Sequence, residues 1–440
     1  MILRILKWLG LTVLALLTLL VISNCTMLGL NYASLETANK PDARPLITAS
    51  TRAEWEAGRE ALKREFETHV YGPWPDGLAV SFGETLVADA DYLSGKATLE
   101  QTEITLGTGE GARVFRYTIA WPRNASGPMP VLIGQTFGST CYVFGSTAIL
   151  DSGGKPCSRT EFRGFAGFML EGIFGEYIVK APVERYIDAG YAYASFQASD
   201  VIRDRKDEAL AQLAALRESE GIGSTGAIMV WSYAFSAIID HLELEPRADT
   251  SRIAVWGHSR HGKSVLVAAA WDTRIALTIS HQSGFGGAAL NRSETGEGLK
   301  GVTGGARLAG VVGVPGYPYW FAPEYAGYAG RLDEIPVDQH QLLALIAPRA
   351  VWLGNGRRDV WSDPNSTFRG ADGASPVWRL YGEEGLGARA MQDHRPGDAL
   401  AYFLRSGGHG VVAADIDAFI AFLDAHFKDA GGAGEMTARP

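Results

Sequence analysis

From about residue 130 onward, short apolar runs alternate with longer stretches of helical period. "PVLIGQTFG", "GYAYASFQA", "RIAVWGHS", "ALTISHQSG", "RAVWLGNG" and "LAYFLRSGG" are each apolar and end in glycine or polar residues, the pattern of buried strands. Ala227–Leu242, Val265–Trp271 and Gln339–Ile346 read as helices between several of them. Strands alternating with helices predict an α/β fold whose mostly parallel central sheet is covered on both faces. Ligands in such sheets gather at the C-terminal strand ends, which is where the polar residues fall. Upstream, Thr51–Gly72 reads as an amphipathic helix from a Thr cap to a Gly stop. "ATLEQTEITL" and "RVFRYTIAWP" alternate like antiparallel strands before "GPMP" breaks the chain. Near the C-terminus, Ile416, Phe419, Ile420, Leu423 and Phe427 make an apolar face at helical spacing. The tail "DAGGAGEMTARP" carries no such face and is expected to be disordered.

One junction carries candidate chemistry. In "AVWGHSRHGKSVLVAAAW" a strand turns into a helix within a few residues, with Ser259 at the corner. That is the geometry of a nucleophile elbow. The G-x-S-x-G form places small residues two before and two after the serine to relieve crowding. Gly257 satisfies the first, but His261 occupies the second and Gly262 comes one later. The alternative is a serine that simply caps the helix. An α/β-hydrolase serine needs an acid and then a histidine later in the chain. His409, in "LRSGGHGV", follows the last strand and precedes the last helix, where glycines let the backbone bring an imidazole over the serine. His340 and His426 lie in helical stretches, and His281 follows too soon to leave room for an acid. His394 has no strand directly before it. The acid should follow "AVWLGNG", so Asp359 is preferred over Asp363, which precedes Pro364 and can equally shape a turn.

The N-terminus changes the picture of location. Arg4 and Lys7 precede an uncharged apolar stretch from Trp8 to Ser23, near the lower limit of the roughly 17–25 residues that a spanning helix needs. Basic residues before it favour export of the bulk of the chain, to the cell envelope or periplasm. An uncleaved anchor is the preferred reading; a cleaved signal peptide or lipidation at Cys25 remain open. The expected organisation is an anchor or signal over residues 1–30, a linker over 31–50, a hydrolase domain over 51–428 and a tail over 429–440. In an exported chain Cys141 and Cys157, which bracket a Gly-rich loop, can pair as a disulfide. The remaining composition is ordinary, with 46 % hydrophobic and 20 % charged residues. A net charge of −9 with no basic run excludes a nucleic-acid partner. No Cys/His ligand spacing points to a metal, and the proposed chemistry needs no cofactor.

The elbow "GHSRHGK" resembles the G-x-S-R-x-G-K elbow of glucuronoyl esterases, carbohydrate esterase family fifteen. "ETHVYGPWP", "SGFGGAAL", "GYPYWF", "PVDQHQLLALIAPRA" and "RRDVWSDP" are similar to family blocks in family order, so the resemblance covers roughly residues 50–428. It implies an α/β-hydrolase fold and cleavage of esters between glucuronic acid on xylan and lignin alcohols. It also implies roles for side chains around the triad. Arg260 would stabilise the oxyanion, Lys263 and Glu297 would contact sugar hydroxyls, and Trp361 would pack against the sugar. The chain also departs from the family pattern. Gln282 stands in "HQSG" where many members carry a glutamate, leaving the acid role to Asp359. "GST" (Gly138–Thr140) replaces G-N-H, Tyr319 replaces the usual histidine of "PHWF", and Gly298–Gly316 reads as an insertion. These departures keep two rivals in view: an esterase of other carbohydrate esters such as acetylated sugars, and a non-catalytic carbohydrate-binding protein anchored in the envelope.

Overall fold

Ten strands form a single sheet: β1 Val80–Phe82, β2 Leu86–Tyr92, β3 Ala97–Leu106, β4 Arg113–Pro122, β5 Met129–Thr136, β6 Ala192–Gln197, β7 Ala248–His258, β8 Ile275–His281, β9 Ala350–Gly356 and β10 Leu400–Arg405. The order is β1-β3-β4-β6-β5-β7-β8-β9-β10, with β2 also paired to β3. From the β6–β5 pairing to β10 the strands run parallel, whereas β1 to β4 pair antiparallel with one another and β4 pairs antiparallel with β6. The computed structural model describes residues 4, 6–19, 21–22, 47–158, 161, 165–292, 297–299, 302 and 316–428. Cys25, most of the 31–50 linker, most of the expected insertion and the 429–440 tail lie outside them.

The period of two along the strands sorts side chains onto two faces. On β7, Ile253 and Val255 enter one core with helices Ala227–Leu242 and Arg260–Trp271. Ala254 and Trp256 enter the other, against Phe419 of helix Ala413–Phe427. Both cores are needed because central strands such as β5 and β9 are buried on both sides, so a single covering layer would leave one row wet. Full burial of each such aliphatic side chain contributes about 1.5–3 kcal/mol.

Several expected elements differ in their bounds, each for a local reason. The amphipathic helix runs Arg52–Phe66 behind a Thr51–Glu54 capping box, then widens to a π-turn over Glu67–Tyr71. Gly72 ends it at a φ of 82°, where a Cβ would meet the Thr225 backbone at 2.4 Å. The elbow helix begins at Arg260, directly after the turn, and not at Val265. Cys141 and Cys157 are joined by a disulfide that closes the loop between them. At the N-terminus, residues 6–19 are helical, with Leu6, Trp8, Leu9, Leu14 and Leu16 exposed. Among the described residues, no helix is long and apolar enough to cross a membrane.

Candidate active site

Four strand ends, those of β5, β7, β8 and β9, and the loop after β10 surround one point. Ser259 follows β7 with φ 59° and ψ −124°, a conformation that side chains other than glycine seldom adopt. Its side chain makes no capping bond to the helix, so the capping alternative fails. The turn shows why glycine sits at 257 and 262. A Cβ at Gly257 would come 2.3 Å from His261 O, and one at Gly262 would come 3.0 Å from His281 O. The pinch therefore falls on the third residue after the serine. His261 is tolerated at the second because its ring leaves the turn to stack on Phe137, 4.2 Å between centroids. Burial pushes the His261 pKa down to about 3, so that ring is neutral.

Asp359, just past β9, is buried at 2 % exposure and receives His409 Nδ1 at 2.7 Å. It also accepts the amides of Trp361 and Ser362, at 3.1 and 3.2 Å, and the Ser362 hydroxyl. Burial raises its pKa, but the charge and hydrogen bond of His409 and the Ser362 bonds outweigh it, holding the carboxyl below its ordinary value. Asp363 does something else. It caps helix Pro364–Leu380 by accepting Ser366 N–H at 3.0 Å, at a φ of 47°. Two of the rejected histidines are engaged elsewhere: His394 Nε2 accepts from Trp352, and His426 lies against Asp398 O. The ring of His258, the residue before Ser259, lies 4.5 Å from that of His409.

Around this pair stand the other residues singled out in the sequence. Trp361 sets its ring edge-on to His409 at 5.2 Å. Lys263 is 1 % exposed, and its ammonium is bonded to Glu297 Oε2 at 2.9 Å and to Ser283 O at 2.5 Å. Burial lowers the Lys263 pKa despite the opposing pull of Glu297. Glu297 is tied back to the acid's loop, its N–H donating to Trp361 O at 3.1 Å. Gly284 makes room at this junction, since a Cβ there would lie 3.0 Å from Glu297 Oε2 and 3.1 Å from Trp361 O.

Arg260 heads the elbow helix, and a first-turn amide has no acceptor within its own helix. That amide is the donor the fold class offers a developing oxyanion. By contrast, the Ser259 N–H is already spent on His281 O at 2.8 Å. The Arg260 guanidinium is fixed by Asp204 at 2.5 Å and lies over Tyr317 and Trp320 at 4.7 and 4.5 Å. Its Nε has no hydrogen-bond partner among the described residues. Asp204 also accepts Tyr319 OH at 2.7 Å and Trp320 Nε1 at 3.1 Å. Burial raises the Asp204 pKa, but Arg260 and these two donors bring it below the ordinary value. Sequence reasoning did not reach Asp204, because its partners lie 56 or more residues away and no local pattern marks it. The altered Tyr319 acquires a reason here, since its hydroxyl is one of the groups that hold Asp204. Among the described residues no cluster is suited to a metal ion.

The arrangement offers a strained serine, a His–Asp pair, a first-turn helix amide and a buried cation–carboxylate pair, a set suited to acyl transfer. Comparison with known proteins agrees with that chemistry. A model of fungal glucuronyl esterases matches residues 174–382. A carbohydrate esterase from an unknown prokaryotic organism is 30 % identical over 432 residues, covering 92 % of this chain and 93 % of that protein. A 4-O-methyl-glucuronoyl methylesterase of Cerrena unicolor is 34 % identical over 198 residues, which are 44 % of this chain and 41 % of the relative. Among solved structures, a promiscuous CE15 esterase from the marine bacterial metagenome superposes with a TM-score of 0.75 at 30 % identity, covering 89 % of this chain and 99 % of that one. A glucuronoyl esterase from Solibacter usitatus gives a TM-score of 0.70 at 26 % identity, covering 86 % and 94 %. With its α/β-hydrolase sheet and a relative that matches nearly its full length, this chain belongs to the glucuronoyl esterase family, CE15, and is a carboxylic ester hydrolase.

Proposed function

We propose that the chain hydrolyses carboxylic esters of glucuronic acid, as at glucuronoxylan–lignin linkages of plant cell walls, through Ser259, His409 and Asp359. His409 takes the Ser259 proton as the hydroxyl attacks the uronate carbonyl, while Asp359 stabilises the imidazolium. The Arg260 amide, with its guanidinium close by, stabilises the tetrahedral oxyanion. His409 then protonates the departing alcohol, and water releases the acyl group by the same steps in reverse order. Lys263 and Glu297 would meet the hydroxyls of the sugar ring and Trp361 its face. The observation that carries the reading is the His409–Asp359 bond, with the His409 ring 4.5 Å from that of His258, the residue before the strained Ser259, and a buried Lys263–Glu297 pair. An exposed surface lysine would carry no such implication.

The test is hydrolysis of benzyl glucuronoate against a simple aryl acetate by the fragment from residue 47, with Ser259→Ala as control. Preference for the uronate ester is expected, with Ser259→Ala down at least about 1000-fold. Cleavage of the acetate alone would sink the uronate reading and favour the rival motivated by "GST" and Tyr319. The hydrolase domain is taken to span 51–428, exported and held at the envelope by the N-terminal segment behind Arg4 and Lys7. The exposed apolar side chains of residues 6–19 support that reading. Its test is membrane fractionation of the full chain after a high-salt wash; full recovery in the soluble fraction would overturn it.

A further inference from the structure

Gln282 follows β8 and cannot serve as an acid, yet its carboxamide reaches the loop that carries His409. Nε2 donates to Gly408 O at 3.1 Å, and Oε1 accepts from Gly410 N–H at 2.7 Å. The amide thus grips the backbone on both sides of His409. Gln282 is 1 % exposed and holds a φ of 50°. Its own N–H bonds Gly354 O at 2.8 Å, and its carbonyl accepts from Ser362 Oγ at 2.9 Å. Since the Ser362 hydroxyl also lies against Asp359, Gln282 touches the loops of both the acid and the base. Space for the contact is provided by Gly356, where a Cβ would stand 2.6 Å from Gln282 Nε2 and 2.4 Å from Gly408 O.

We propose that Gln282 is a positioning residue for His409, fixing the imidazole between Asp359 and Ser259. The proposal rests on His409 being the general base. Gly407, Gly408 and Gly410 give this loop little conformational preference of its own, so its order must come from partners. Gly410 O and Ser406 O are held from the other side by Arg405, at 2.6 and 2.9 Å. Arg358 N–H holds Gly407 O at 2.8 Å; the Gly408 acceptor and the Gly410 donor, on either side of His409, go to Gln282, and a carboxamide is the side-chain head that matches both at once. A carboxylate at this place would keep the bond from Gly410 but set an oxygen against Gly408 O. A thioether would keep the length and lose both bonds.

The experiment compares Gln282→Met and Gln282→Glu with the unmodified protein on a glucuronate ester, with Ser259→Ala alongside. The proton NMR signal of His409 Nδ1–H is followed in each. For Gln282→Met, kcat should fall about 100-fold, the scale of a misplaced catalytic group. KM should stay within about twofold and the His409 signal should broaden, since the lost order lies in the base and not in sugar binding. Gln282→Glu should lose less, about 10-fold, because it keeps the Gly410 bond. A kcat within about twofold of wild type in either variant, an unchanged His409 signal, or a loss confined to KM would overturn the proposal. Activity persisting in Ser259→Ala would overturn the triad instead, so the two failures are distinguishable.

Discussion

Two His–Asp pairs flank the His258 ring, whose centroid lies 4.5 Å from His409 and 5.0 Å from His281, and only one is open to substrate. His409 meets Asp359 at 2.7 Å with 13 % of the imidazole exposed; His281 meets Asp415 at 3.1 Å with neither side chain exposed at all. The second pair is fully committed. Asp415 accepts Arg405 Nε with both oxygens at 2.8 Å and Val412 N–H at 2.9 Å, while His281 Nδ1 faces His258 Nδ1 at 3.0 Å. At that distance one of the two Nδ1 atoms donates and the other accepts. Burial and the neighbouring His409 and His281 hold the His258 pKa well below its ordinary value, consistent with a neutral ring. The contrast teaches that a His–Asp distance does not by itself mark a catalytic centre. What distinguishes the first pair is a partly exposed imidazole on a glycine loop, 4.5 Å from the ring that precedes a serine in a strained turn.

The comparison can be broken most sharply at the two histidine partners. His409→Ala should lower kcat at least about 1000-fold with a smaller loss of stability than Asp415→Asn, because its imidazole is partly exposed and Asp415 is not. Substantial residual turnover would mean that another group acts as base. Asp415→Asn should do the opposite. Removing one partner of a buried ion pair costs about 3–5 kcal/mol, read by denaturant unfolding, with a smaller loss of kcat per folded molecule than in His409→Ala. Unchanged stability would mean that the buried pair is not the anchor of the Arg405 loop.

That variant also has a pH signature. Burial raises the Asp415 pKa, but the charges and bonds of His281 and Arg405 bring it below the ordinary value of 3.8. Its contribution is therefore complete above that pH and lost as pH falls through the lower folded value. The stability gap between wild type and Asp415→Asn should narrow in that acid range and stay constant above it. The smallest effect sharpens the choice of acid. Asp359→Asn should cost about 100-fold or more in kcat, whereas Asp363→Asn should stay within a few-fold, since asparagine caps a helix nearly as well as aspartate. The reverse order would exchange their roles.

How much of this was legible in the chain depends on the range of each signal. Apolar runs of period two and helical stretches between them are local, so the element order from β5 to β10 could be read directly. The elbow, the glycine loop around His409 and Asp359 after β9 are local as well, each tied to a strand end. The edge strands β1 and β2 escaped notice, being short or largely exposed and lacking a buried face to mark them. The engaged states of Lys263 and Arg260 escaped as well. The motif marks their positions, but not that one is locked to Glu297 and the other to Asp204.

Gln282 shows the division most clearly. Read along the chain, it was a glutamate's place filled by a group that cannot ionise. Its contacts with Gly408 and Gly410 span 126 and 128 residues, and they exist only because β8, β9 and β10 lie side by side in parallel register. The sequence by itself determined the parallel part of the sheet, the elbow and the chain order of Ser259, Asp359 and His409 at strand ends, because backbone sterics and hydrophobic periodicity act between near neighbours. Only the tertiary structure decided which aspartate meets which histidine and what orders the His409 loop. Hydrogen bonds reach about 3 Å, and which groups come that close is settled by how distant segments pack.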